Sequence, residues 1–392
     1  MAGQIGVAVI GAGMAGRAHL AGYRSAPTLF DPPLPPLRYV AAVDANEAVA
    51  KDAAARYGYK RASTDWHELL DDDDVQVVSV VVANQLHRPV VEALLAAGKH
   101  VLCEKPLAPS LDDARAMIAA AAAHPEQVTG TGFVYRRQPG VAAIRDLLQQ
   151  ELGEVSHFDG RYWCDYARST ETPMAWRYKG GPGTGALSDI GSHLIDTAEF
   201  LCGPLSSVSG ATFTTKVTER AVPIGTTYGH AKAQLSDVFE PVENDDVAAF
   251  NASFASGAIG TFSVSRIATG HANSLGFEIL AERGAARWDM DRPAEFSVVR
   301  RLRDDGLDGF NQVLVGPAHP YIKGGLPMDF PGVSFGTGDL FGYQARAFIE
   351  QVAGIEGLPP VASFEDGLRD LAVVDAVIRS AAADGSSVDV VH

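Results

Sequence analysis

The chain has 392 residues, enough for two domains, and its 46% hydrophobic and 20% charged content is ordinary for a soluble globular protein. A formal net charge of −16 speaks against nucleic acid or an anionic membrane surface as a partner, because both call for a basic face. The three cysteines, Cys103, Cys164 and Cys202, make neither a disulfide framework nor a zinc spacing; with no apolar run of spanning length and no leader-like start, a cytoplasmic protein with reduced thiols and no metal centre is expected.

Ile5–Ile10 is a run of β-branched and small apolar residues and reads as a buried parallel strand. It runs into Gly11, Gly13 and Gly16, a G-x-G-x-x-G turn, and then into a helix expected over Met14–Tyr23. Gly11 permits the tight turn, Gly13 lets a pyrophosphate come close to the backbone, and Gly16 lets the helix lie against the strand. The helix start at Met14 and Ala15 offers free N–H groups and a positive dipole end to the phosphates. Ser25–Leu37 is Pro-rich and reads as an irregular insertion. Arg38–Asp44 reads as a second strand ending in an acid. The Asp44 carboxylate suits the two hydroxyls of an adenosine ribose and repels a 2′-phosphate, so NAD is favoured over NADP; a plain helix cap is the alternative role. Its distance from Gly11 exceeds the usual ~20 residues because of the insertion.

A helix over Ala48–Tyr57, a strand over Val75–Val82, a helix beginning near Pro89, a strand over Lys99–Cys103, a helix capped by Ser110 and running to Ala123, and a strand over Thr129–Tyr135 follow. The acidic run Asp71–Asp74 reads as a solvated loop. Alternation of strand and helix predicts a doubly wound parallel sheet. Asn84 and His87 fall where strand ends face a ligand in such a sheet. Beyond about Tyr135 the pattern changes. After a helix over Val141–Leu152 come strand-like runs at Val155–Tyr162, Ser206–Thr214, Asp246–Phe254, Ala258–Ser265, Leu275–Ala281 and Phe296–Arg301, which suggest an antiparallel sheet. A Gly-rich loop, Gly180–Gly185, precedes a helix over Ser188–Cys202, and helices over Phe341–Val352 and Phe364–Ala383 close the chain. The expected division is a Rossmann domain over residues 1–136 and an α+β domain with a large, mostly antiparallel open sheet over residues 137–392.

Lys105 stands at the carboxyl end of a strand beside the expected cofactor crevice, stiffened by Pro106, where a lysine can donate to a substrate hydroxyl. Asp189 and His193 are four apart and share a helix face. His193 can serve as a general base near neutral pH, and Asp189 can orient it or bind substrate. Taken singly, a surface lysine, a helix cap and a core histidine are equally available readings.

Together, Gly11-Ala12-Gly13-Met14-Ala15-Gly16, Glu104-Lys105-Pro106 and Gly185–Asp196 resemble the Gfo/Idh/MocA oxidoreductase family over nearly the whole chain. The resemblance implies a catalytic group of Lys105, Asp189 and His193, with Glu104 as a cofactor contact. The chain departs from the family at Val82-Ala83-Asn84, where Thr-Pro-Asn is common. The Pro-rich insertion, Tyr135-Arg136-Arg137, Trp176-Arg177 and Gly316–Tyr321 are similar to the levoglucosan dehydrogenase-like branch, which implies a sugar substrate, often oxidised at the 3-hydroxyl. Tyr135, Asp165, Trp176 and His319 are candidate pocket residues, since aromatic and polar side chains suit a pyranose; packing is their other available role. The reading is an NAD-dependent dehydrogenase of a sugar or polyol, assembled as a homodimer or homotetramer. Two alternatives stand beside it, an enzyme whose bound NAD recycles within one turnover and a dinucleotide-sensing regulator.

Overall fold

A computed structural model describes residues 3–225, 234–300, 309–330, 332–333 and 335–391. The chain forms two compact units, one of residues 1–138 and 316–368, the other of residues 139–315 and 369–392. Residues 316–368, expected in the second domain, thus belong to the first.

In the first unit, β1 (Ile5–Ile10), β2 (Leu37–Val43), β3 (Arg61–Ser63), β4 (Val77–Val80), β5 (His100–Cys103) and β6 (Thr129–Thr131) make one parallel sheet in the order β3-β2-β1-β4-β5-β6. Every residue of β1 is buried, as its unbroken apolar run requires. The order reverses between β1 and β4, which is where such sheets open a crevice beyond their carboxyl ends. The helices α1 (Met14–Ser25), α2 (Glu47–Tyr57), α3 (His87–Ala96) and α4 (Leu111–Ala123) connect the strands. Ser110 caps α4 by accepting from the Asp113 N–H at 3.1 Å, as its sequence predicts. The helix Thr337–Ala353 packs along α1.

One expectation needs correction here, and two gain detail. The strand expected over Thr129–Tyr135 stops at Thr131, because the chain turns through i→i+2 contacts at Phe133 and Val134 into a 3-10 turn, Val134–Arg137. β3 and its neighbours engage the acidic run, with Asp72 pairing Arg61 at 2.7 Å and Asp74 pairing Arg38 at 2.7 Å, so two of its four carboxylates are more than solvated. The insertion contains a short 3-10 turn, Ala26–Thr28, within its irregular path.

In the second unit α5 (Pro139–Leu147) passes into a π turn, Leu148–Leu152. β7 (Val155–Cys164) follows, then α6 (Ser192–Cys202), β8 (Leu205–Thr214), β9 (Glu219–Pro223), β10 (Leu235–Pro241), β11 (Val247–Phe254), β12 (Ile259–Ser265), β13 (Asn273–Ala281), β14 (Gly284–Asp289), β15 (Glu295–Val299), β16 (Asn311–Leu314) and β17 (Val388–Asp389). Nine strands make one sheet, β16-β15-β14-β13-β7-β12-β11-β8-β17, antiparallel except for the β7–β12 pair; β9 and β10 form a separate ribbon. Arg301, at the end of one expected strand, lies outside the described residues. One face of the sheet buries Phe158, Phe250, Phe254, Phe262 and Phe277, with Phe250 and Phe262 stacked at 4.6 Å. α6 lies on this face. A Cβ at Gly160 would fall 2.8 Å from Leu194, so the bare backbone of β7 sets how close α6 comes. The other face carries Asp159, Arg161, Trp163, Asn251 and Thr261 around a shallow hollow of about 380 Å³.

Candidate active site

The glycine turn after β1 is built as its spacing requires. Gly11 has φ +93° and a Cβ there would meet the Val81 carbonyl at 2.0 Å; a Cβ at Gly16 would meet the Gly11 carbonyl at 1.8 Å. At Gly13 the same Cβ would meet nothing within 4 Å, so the backbone is open to a ligand. No side chain caps α1 and its first turn holds no acid, which leaves its N–H groups and dipole for an anion. Met14, its first residue, is 68% exposed. Asp44 accepts from the Ala12 N–H at 2.8 Å through one carboxylate oxygen and from the Asn46 N–H at 2.9 Å through the other. Asn46, not Asp44, caps α2 by accepting from Ala48 and Val49, so the helix-cap role belongs to its neighbour. The open Gly13, the free helix end and the adjacent carboxylate fit an NAD dinucleotide.

At the carboxyl end of β5, Glu104 is 7% exposed and Lys105 half-buried. Glu104 was expected to touch the cofactor, yet its carboxylate turns inward. It accepts from His19 Nε2 at 2.9 Å and from the Lys105 N–H at 3.1 Å. A Cβ at Gly132 would fall 2.5 Å from Glu104 Oε1, so that glycine leaves the carboxylate its space. His19 Nδ1 lies 3.1 Å from Ser79 Oγ, which in turn lies 2.8 Å from the Tyr23 hydroxyl. Tyr23, Ser79, His19 and Glu104 thus form one continuous hydrogen-bonded row. Burial pushes the Glu104 carboxyl up, but the His19 hydrogen bond, with the charges of His19 and Lys105, brings it below the usual range.

Asn84 opens a 3-10 turn after β4 and is half-buried. His87, also expected at the cofactor, is fully buried. Its Nδ1 lies 3.1 Å from the carbonyls of Pro106 and Leu107, and its Nε2 3.1 Å from that of Val82. The ring therefore ties the Lys105–Pro106 turn to the end of β4 and is not available to a ligand. Burial lowers its affinity for a proton, against the pull of those carbonyls. Tyr135 is buried in the 3-10 turn after β6, and His319 stacks on Tyr321 with ring centroids 5.8 Å apart.

In the second unit Asp189 lies within a π turn, Leu187–Gly191, and His193 is the second residue of α6; both are half-buried. π turns recur at functional sites. The Tyr166 hydroxyl donates to Asp189 Oδ2 at 2.7 Å. Burial and the Asp189 charge push the Tyr166 hydroxyl well above its usual range, so it stays a donor. The Gly-rich loop ahead of the turn is gathered by one carboxylate. Asp245 accepts from the N–H groups of Gly183, Gly185 and Leu187 at 2.8–3.0 Å. Asn244 donates to the carbonyls of Arg177 and Lys179, and Arg266, 1% exposed, pairs with Asp246 at 2.8 Å. Asp165 is half-buried after β7, and Trp176 is 57% exposed. Sequence reasoning missed His19, Tyr166 and Asp245. His19 had a signal in its place three residues after Gly16, on a helix face turned to the sheet; Asp245 had none. Among the described residues no cluster of side chains could hold a metal ion, and no helix is long and apolar enough to cross a membrane.

A doubly wound sheet with an open glycine turn, an uncapped helix behind it and an acid at the end of β2 is the arrangement of a dinucleotide-binding domain. Residues 5–131 match the Gfo/Idh/MocA pattern described as "Oxidoreductase family, NAD-binding Rossmann fold", and residues 141–287 match the GFO/IDH/MocA C-terminal domain. Levoglucosan dehydrogenase of Pseudarthrobacter phenanthrenivorans is 35% identical over 99% of this chain and 98% of its own. A levoglucosan dehydrogenase solved with NADH and levoglucosan superposes with a TM-score of 0.89 at 32% identity, covering 99% of this chain and all of the other. An NAD-binding oxidoreductase from Klebsiella pneumoniae gives a TM-score of 0.87 at 31% identity, covering 99% of this chain and 100% of its own. The chain belongs to the Gfo/Idh/MocA family and is an NAD-dependent oxidoreductase.

Proposed function

We propose that this enzyme oxidises a secondary hydroxyl of a sugar, sugar derivative or polyol, with the 3-hydroxyl of a pyranose as the favoured position. What carries the reading is the match along nearly the full length of both chains to a sugar dehydrogenase, at 35% identity. Asp44, the open turn at Gly13 and the N-terminus of α1 hold the dinucleotide, which when bound supplies the acceptor for a hydride. Lys105 donates a hydrogen bond to the reacting oxygen and offsets the negative charge that grows there. His193 takes the hydroxyl proton as general base. Asp189, held by Tyr166, keeps its charge for the imidazolium that results. Tyr135, Asp165, Trp176 and His319 supply the walls and hydrogen bonds that choose the sugar. The uncovered sheet face of the second unit pairs subunits into a dimer or tetramer, and the free thiols of Cys103, Cys164 and Cys202 suit a cytoplasmic location.

The test is a panel of anhydrosugars, aldoses, inositols and unrelated hydroxy acids, scored by the absorbance of NADH as it forms. Turnover on one or more cyclic polyhydroxy substrates is the expected result. Turnover confined to acyclic hydroxy acids would overturn the substrate class, and a 3-deoxy analogue oxidised as well as its parent would overturn the position.

A further inference from the structure

Two sequence features remain without a purpose in the chemistry above, the Pro-rich insertion and Arg137, and the run Gly316–Tyr321 has one only at His319. Within the first unit they are one assembly. Phe30, in the insertion, has φ +59°, a left-handed conformation that is an outlier for a bulky residue and strains the backbone. It persists because its surroundings fix it from every side. The Phe30 N–H donates to the Gly324 carbonyl at 2.8 Å. On one side of it the Leu29 carbonyl accepts from Arg346 at 2.6 Å, and on the other the Pro32 carbonyl accepts from the same guanidinium. Arg346 is fully buried and pairs with Glu350.

The ring of Phe30 continues this clamp toward Gly316–Tyr321. It lies 5.6 Å from the ring of Tyr343, Tyr343 lies 5.7 Å from Tyr321, and Tyr321 lies 5.8 Å from His319. A Cβ at Gly325 would fall 2.6 Å from the Phe30 ring and 2.2 Å from the Tyr321 carbonyl, so the segment is pressed onto Phe30 with no space to spare. Arg137, 2% exposed, fixes Tyr321 from the other side, donating to its hydroxyl at 3.0 Å and to the carbonyls of Pro359 and Pro360 at 2.6 Å. His319 ends the row, its Nδ1 accepting from the Tyr321 N–H at 3.2 Å.

We propose that the Pro-rich insertion is a specificity strut: Phe30, clamped by Arg346, sets through Tyr343 and Tyr321 the place of the His319 ring, and so decides which sugars the enzyme accepts. The inference rests on His319 lining the pocket, as proposed above. Phe30 is a positioning residue, not a catalytic one. Its strain has a physical use, because a side chain held off its preferred backbone region has only one seat, and the ring row inherits that definition.

Phe30→Gly removes the wedge and relieves the left-handed strain. Gly325→Ala disturbs the same contact from the opposite side. Each should raise KM for the best sugar about tenfold and flatten the ranking of a sugar panel, with kcat within about threefold of the parent and NADH affinity by fluorescence titration unchanged. His319→Ala should do the same. Phe30→Gly/His319→Ala should be no worse than His319→Ala, because residues acting through one contact do not add. If Phe30→Gly and Gly325→Ala fold and bind NADH normally yet keep the parent KM and ranking, while His319→Ala loses them, the strut is wrong and the pocket role of His319 stands. If His319→Ala keeps both, the pocket role fails and the strut with it.

Discussion

Asp44 shows how one side chain can hold two duties. Its carboxylate accepts from the Ala12 N–H inside the glycine turn, and on the proposed reading it also meets the ribose. Asp44→Ser, made to admit NADP, should therefore raise KM for NAD while gaining little with NADP, since the turn loses an acceptor as well as a charge; an NADP preference in the parent enzyme would sink the ribose role. Lys105→Ala and His193→Ala should each lower turnover by about 10²- to 10⁴-fold, the range for losing positioned proton-transfer help, with NADH affinity kept. Near-normal turnover in either folded variant would remove that residue from the chemistry. Glu104 allows a pH test. Its carboxyl is lowered in the folded protein, so its contribution to stability is present above the ordinary glutamate range and lost as pH falls through the lowered value. Denaturant midpoints across the acid range should fall less steeply with pH in Glu104→Gln than in the parent; equal slopes would mean that the buried pair with His19 carries no such linkage.

At the scale of elements, the parallel half could be read from the sequence almost strand by strand, because buried β-branched runs and Gly, Asn and Ser punctuation coincide with real ends. β3, β9, β10, β14, β16 and β17 were missed. All but β14 lie at sheet edges or in the two-stranded ribbon, and each is seven residues or fewer, so none shows a sustained alternation of period two. Glu104-Lys105-Pro106 and Asp189–His193 could be found from local motifs, whereas the partners that hold them could not. Tyr166 is 23 residues from Asp189, and Asp245 is about 60 from the loop it gathers. Such contacts carry no local pattern. They do carry energy: Asp245→Ala strands three N–H donors that the structure buries with it, and should lower stability by about 3 kcal/mol or more, measured as a shifted urea midpoint. Tyr166→Phe should lower kcat more than it raises KM, because it removes one donor to the Asp189 carboxylate without opening space; an unaltered kcat would leave Asp189 without the role given to that bond.

For the whole molecule, the second unit's sheet has one face covered by α6 and one carrying Asp159, Arg161, Trp163 and Thr261, knit together by Arg161–Asp289 and Trp163–Ser263 contacts. A face this ordered and this broad is the proposed subunit contact, and light scattering at micromolar concentration should give a multiple of 41.4 kDa; a monomer mass would contradict it. The first unit has a different peculiarity, since it is completed by chain from beyond residue 315. Thr131 bridges to Ala362, and the helix Thr337–Ala353 lies along α1. During synthesis the cofactor sheet must therefore wait for its last pieces while the whole stretch between 139 and 315 is made. At ~5–20 residues per second that is an interval on the order of ten seconds or more, in which the apolar flank of α1 stands uncovered on a nascent chain.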